Sequence, residues 1–177
     1  MKEAVSTLFY DVPIQGYCAL NMDGIAVAAE VLGGVPVIVP DDSLESVSPE
    51  FVEGAKIVLT KENTEQFVRY RDTNESHSAL IRTNRQKIFM KAMVERAREK
   101  AEKDSDLLVE MYDGLKPYMI TNMGNDILAK LMEADYRSES VIVDIPGEAV
   151  QGEEYDEYHV DENKLYELVL QLFYKEV

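Results

Sequence analysis

The stretch Gly24–Pro40, "GIAVAAEVLGGVPVIVP", sets the class of the fold. Its first half is small and apolar, suits a buried helix, and follows Asp23, a residue able to accept from free N–H groups at a helix start. Gly33 and Gly34 then offer the left-handed exit that ends a helix. "VPVIVP" behind them is β-branched and bracketed by prolines, which predicts a strand at a sheet edge. A helix followed within a few residues by a strand is the unit of a layered α/β fold.

Working outward, residues 2–10 predict a short helix ending before "DVP", and "YCALNM" a buried strand. After the strand at 35–39, "DDSLESVSPEFVEG" is polar and turn-rich and predicts a surface loop, and "AKIVL" a short strand. "KENTEQ" suits a helical turn, and the alternation in "FVRYR" predicts extended chain from Phe67 to Arg71, with Arg69 and Arg71 on one face. A long helix is expected from near Ile81, carrying Ile88, Phe89, Ala92, Met93, Arg96 and Ala97 at spacings of three and four. "DLLVEMYDGL", opened by Asp104 and Ser105 and closed by Pro117, and "GNDILAKLMEA" predict two more helices. "SVIVDIPG" predicts a buried strand, "EAVQGEEYDE" an acidic turn region and "YHV" a short strand. Asp161 caps a final helix whose expected core face is Leu165, Leu168, Val169, Leu172 and Phe173. Helices interleaved with strands predict an α/β fold with helices on both faces of a sheet, in a single domain over residues 1–177.

With 177 residues, 46% of them hydrophobic and 29% charged, the chain is long enough for a sizeable core without staples. Its single cysteine, Cys18, cannot form an internal disulfide, and its apolar neighbours make it a core residue by expectation. No uninterrupted apolar run is long enough to span a bilayer. The net charge of −16 argues against a general nucleic-acid surface, since phosphate backbones are held by Lys and Arg.

One segment departs from that charge. Arg69–Lys87, "RYRDTNESHSALIRTNRQK", brings together Arg69, Arg71, Arg82, Arg85 and Lys87 against Asp72 and Glu75. Arg82 and Arg85 fall in the first turns of the expected long helix, where the macrodipole disfavours cations. A helix start furnished with guanidinium forks suits a phosphate or pyrophosphate, and Gln86, four residues after Arg82, can add a neutral donor. The same residues also suit a solvated face of exposed ion pairs, and the charge pattern by itself leaves both readings open. His77 and His159 have no ligand spacing, and the acidic groups read as solvated turns.

At these residues the chain resembles the LytR-CpsA-Psr family. "ALNMDGIAVAAEVLGGVPVIVPDD" resembles the family's strand, helix and "GGV" strand. "LTKENTEQFVRYR" resembles its L-x-G-x-x-A-L-x-Y-x-R-x-R pattern, and "IRTNRQK" its R-x-x-R-Q. The end, from "DIPGEAVQ" to "LQLFY", resembles its closing strand, turn and helix. Ala79 stands where the family has Asp, and Lys61 where it has Gly.

The resemblance implies a three-layer α/β/α sandwich with a central mixed sheet and an apolar pocket for a prenyl tail. It implies a phosphotransferase at the extracytoplasmic face of the cell membrane, moving glycopolymers such as teichoic acid or capsule from a polyprenyl pyrophosphate carrier to peptidoglycan. Arg69, Arg71 and Arg82, with Gln86, match the residues that hold the pyrophosphate, and Arg85 matches the second arginine of the R-x-x-R-Q pattern. Mg²⁺ is the cofactor expected of the family. Its acidic ligands and the membrane anchor belong to an upstream segment, so the chain is expected to be the later part of the domain. A non-catalytic polyprenyl-phosphate-binding fragment is the competing reading. A transcriptional regulator of the cell envelope runs against the charge and the lack of a basic recognition helix.

Overall fold

A computed structural model describes residues 2–72, 78–124, 143–152 and 156–174. The helix expected over "GNDILAKLMEA" after Gly124, residues 140–142 of the strand expected over "SVIVDIPG", and His77 and Glu75 lie outside them; residues 143–146 of that segment are described and do not form the expected buried strand, with Val143 and Asp144 exposed. The chain divides into two compact units, residues 18–136 and residues 1–17 with 137–177.

In the larger unit β1 (Cys18–Leu20) leads into α2 (Met22–Val31), and the helix in the smaller unit that precedes them is α1 (Lys2–Leu8). Asn21, not Asp23, caps α2: its side-chain oxygen accepts from the Gly24 amide at 3.0 Å. The helix ends as expected. Gly33 and Gly34 sit at φ +67 and +93, and the Gly34 amide donates to the Ala29 carbonyl at 2.8 Å. A Cβ on Gly34 would lie 2.4 Å from Val58 Cγ1, so this turn also needs glycine for space.

The turn delivers β2 (Val35–Ile38), which pairs antiparallel with β3 (Lys56–Leu59), Val35 opposite Leu59 and Ile38 opposite Lys56. Val35 and Val37 point into the core and Pro36 and Ile38 outward, the period-two pattern of a half-buried strand. The loop between them, expected on the surface, sends Leu44 and Phe51 fully into the core, where Phe51 meets Phe67 with ring centres 6.0 Å apart. Ala29, Leu32, Phe89 and Leu107 complete that core, drawn from α2, α4 (Ser78–Ala101) and α5 (Leu107–Leu115).

β1 pairs with β4 (Met119–Thr121) and is exposed along its length. Cys18 is therefore a surface residue, against the expectation of a core position. Three residues against a single partner strand leave it no covering layer.

In the smaller unit β5 (Gly147–Gln151) and β6 (Asp156–Val160) form an antiparallel hairpin, and "EAVQ", expected in an acidic turn, is strand. Asp161 caps α6 (Glu162–Phe173) as expected, accepting from the Lys164 amide at 3.1 Å. Leu165 and Val169 pack with Val12, Phe9 and Leu168. Leu172 and Phe173, expected in that core, are half exposed at 51% and 53%, because the apolar stripe continues beyond this small cluster.

The α/β class holds. Among the described residues the strands pair as three separate two-stranded antiparallel ladders rather than in one mixed sheet, and the longest has five residues per strand.

Candidate functional site: the corner between α3 and α4

The segment 67–71 is not extended. Thr64–Arg69 form a helix, α3, and Thr64, Phe67 and Val68 are all buried. Those three positions lie at i, i+3 and i+4, one side of a helix, so burying both Phe67 and Val68 against the core selects the helix over the strand. The alternation of "FVRYR" is local to five residues and loses to that wider pattern. Arg69 consequently lies in the last turn of α3, where it pairs with Glu65 one turn back on the exposed surface. The proposed strand pair of Arg69 and Arg71 does not form.

The chain leaves α3 at Tyr70, whose φ −52 and ψ 136 are extended. Arg71 follows, and its Nε donates to Ser78 Oγ at 3.0 Å. Ser78 is buried and opens α4, three residues before the expected start near Ile81. One turn later comes Arg82, and after a second turn Arg85 and Gln86. Arg85 is the largest fully buried side chain, with 1% exposure, and one of its terminal nitrogens donates to the Tyr70 carbonyl. Gln86 Nε2 donates to the Val68 carbonyl at 3.1 Å.

These two contacts have a common cause. The last carbonyls of a helix lack intrahelical partners and carry the negative end of its dipole. α4 answers the α3 terminus with a cation and an amide, which docks the two helices and closes the chain around Arg71.

The arrangement leaves donors unused. Among the described residues, Nε and Nη1 of Arg85 and Nε of Arg82 are buried without a hydrogen-bond partner, as are Nε of Arg96 and Nε and Nη2 of Arg98 further along α4. Buried polar groups in folded proteins are normally paired, and each orphan costs about 1–3 kcal/mol. Burial pushes the Arg85 pKa below its ordinary value, the nearby Asp41 carboxylate and Tyr70 phenol oppose the shift, and Arg82 adds to it. Arginine nevertheless stays charged, so the corner holds fixed positive charge with free N–H groups. An acceptor-rich anion satisfies such a set.

A family model of the LytR_cpsA_psr family matches residues 1–173. The chain belongs to the LytR-CpsA-Psr family. At family level this is the chemistry of cell-wall glycopolymer transfer. Solved structures similar to this LytR-CpsA-Psr chain include the Lin1025 protein of Listeria innocua, 22% identical over 96% of this chain and 70% of that one, with TM-score 0.62. TagU of B. subtilis is 17% identical over 99% and 72%, with TM-score 0.61. TagT bound to LI-WTA is 17% identical over 97% and 64%, with TM-score 0.70. No curated protein sequence matches the chain.

Of the family-pattern residues, Arg85 and Gln86 both contact the α3 terminus, Arg71 ties the chain after α3 to Ser78 at the start of α4, and Arg82 lies one turn from Gln86 on α4. Arg69 is engaged with Glu65. Asp41, which acts on Arg85, escaped the sequence reading because "DD" after Pro40 reads as the start of a solvated loop. Among the described residues no group of three His, Cys, Asp or Glu side chains is gathered to hold a metal ion, and no helix is long and apolar enough to cross a membrane.

Proposed function

We propose that the α3–α4 corner holds the pyrophosphate of a polyprenyl-linked glycopolymer for transfer to a peptidoglycan acceptor, at the extracytoplasmic face of the membrane. The observation that carries this reading is the set of buried, unpartnered guanidinium nitrogens on Arg82 and Arg85. In this reading Arg71, bonded to Ser78 at the start of the same helix, and Gln86, one turn from Arg82, contribute further donors, and Arg69 joins by leaving its exposed pair with Glu65, a contact worth about 0–1 kcal/mol.

Phosphoryl transfer asks the protein mainly for alignment and for stabilisation of spread negative charge. In this reaction an acceptor hydroxyl forms a bond to the phosphorus that bears the glycopolymer. The bond from that phosphorus to the bridging oxygen breaks, polyprenyl phosphate leaves with the electron pair, and the hydroxyl proton passes to a base. Arginines fixed on the pyrophosphate offset the charge that grows on the leaving phosphate. Among the described residues no group of three His, Cys, Asp or Glu side chains is gathered for the magnesium expected of the family.

Calorimetric titration with farnesyl pyrophosphate, a short soluble prenyl pyrophosphate, tests the site. Arg82→Ala should weaken binding about tenfold or more, the size of a lost charge-assisted hydrogen bond. If Arg82→Ala and Arg71→Ala both bind like the parent, the assignment is wrong. Full binding in EDTA with no transfer product when Mg²⁺ is restored would favour the non-catalytic carrier-binding reading.

A further inference from the structure

One side of α4 is buried, and what lies along it is mixed. Ser78, Arg85 and Phe89 are its buried residues, at spacings of seven and four, which at about 100° per residue puts them within about 40° of one another around the axis. Arg82, four residues after Ser78, falls on the same side. The serine is therefore in line with the two arginines whose buried nitrogens lack partners. Its side chain is already engaged. Ser78 is 4% exposed, and its Oγ accepts from Arg71 Nε at 3.0 Å. Arg71 itself is exposed, on the chain that leaves α3 at Tyr70.

We propose that Ser78 is a positioning residue for the pyrophosphate site: its buried hydroxyl captures Arg71 by Nε and holds that guanidinium at the side of α4 that carries Arg82 and Arg85. This rests on the function proposed above. An unrestrained arginine loses rotamer freedom when it grips a ligand, and one restrained beforehand loses less. Holding Nε leaves the two terminal nitrogens to form a fork for phosphoryl oxygens. The acceptor is uncharged, so it orients the cation without neutralising it as a carboxylate would. Ala79, where the family pattern has Asp, has no side-chain acceptor to offer.

Ser78→Ala removes the hydroxyl and keeps a good helix former at the start of α4. The Kd for farnesyl pyrophosphate should rise about three- to tenfold, the range expected when the ligand itself must order one long side chain. In an Arg71→Ala background the same change should have no further effect, since two residues acting through one contact are not additive. A loss caused by a looser α4, or by a direct bond from Ser78 to the ligand, would persist in that background. Parent-like binding by Ser78→Ala, or its full effect persisting without Arg71, overturns the inference. The tie is also read without ligand, from solvent exchange of the Arg71 Nε–H in proton–nitrogen NMR spectra, the signal being assigned by its loss in Arg71→Lys. Exchange should be about fivefold or more faster in Ser78→Ala, and an equal rate refutes the inference. That rate decides alone where Arg71→Ala leaves too little binding to titrate. If the parent protein does not bind the probe, the proposed function fails, while the exchange rate still tests whether Ser78 holds Arg71.

Discussion

Replacing Arg85 by methionine separates what the corner needs for folding from what it needs for binding. The buried guanidinium contributes one charge-assisted hydrogen bond, to the Tyr70 carbonyl, worth about 1.5–3 kcal/mol. Against that stand two buried nitrogens without partners, Nε and Nη1, each costing about 1–3 kcal/mol. Methionine fills a similar volume without a buried charge, so the change removes two orphan costs for the loss of one hydrogen bond. Asp41 is not stranded by the change, because it keeps both contacts to Ser43. Arg85→Met should therefore keep or raise the melting temperature, at about 2–4 °C per kcal/mol for a chain of this length, while weakening farnesyl pyrophosphate binding about tenfold or more. Scanning calorimetry and titration on the same preparation check both halves. A fall of more than about 6 °C would mean that those nitrogens are satisfied in the folded protein, and the case for an anion at the corner would lose its main support.

Glu65→Gln frees Arg69 from its surface pair, and if Arg69 serves the same ligand, binding should tighten about two- to fivefold, within the range of an exposed ion pair. Unchanged affinity would place Arg69 outside the site. Gly34→Ala forces a side chain to φ +93 and against Val58, and should cost about 2 kcal/mol or more in urea unfolding. A loss below about 0.5 kcal/mol would show that the turn into β2 relaxes freely.

The helix–glycine–strand unit at 22–38 was legible because each signal there is local: an apolar helix, two residues suited to positive φ, and a β-branched run. The capped final helix was legible for the same reason. α3 was misread because a five-residue window shows alternation, whereas the burial of Thr64, Phe67 and Val68 depends on the core that α4 and Phe51 build around them. The exposure of Cys18 likewise depends on what fails to cover β1, which no neighbouring residue announces. In the site, the arginine cluster was evident from charge alone, as a break in an acidic chain. Its division of labour was not. That Arg85 goes inside and Arg69 stays outside follows from the helical phase of α3 and α4.

α4 fastens two other helices by their carboxyl ends. Arg85 and Gln86 hold α3, and near the opposite end Lys100 Nζ donates to the Val31 carbonyl of α2 at 3.1 Å. At about 100° per residue, Arg85 and Lys100 emerge within about 60° of one another around the axis, so both ties draw on nearly one side of the rod. Adding or deleting a single residue between them would swing one anchor by about 100° and forfeit it. Seven or eleven extra residues would restore the angle but lengthen the rod by about 10 or 16 Å and carry one anchor past its partner, which makes α4 the gauge that fixes the spacing of the arginine corner from the rest of its unit.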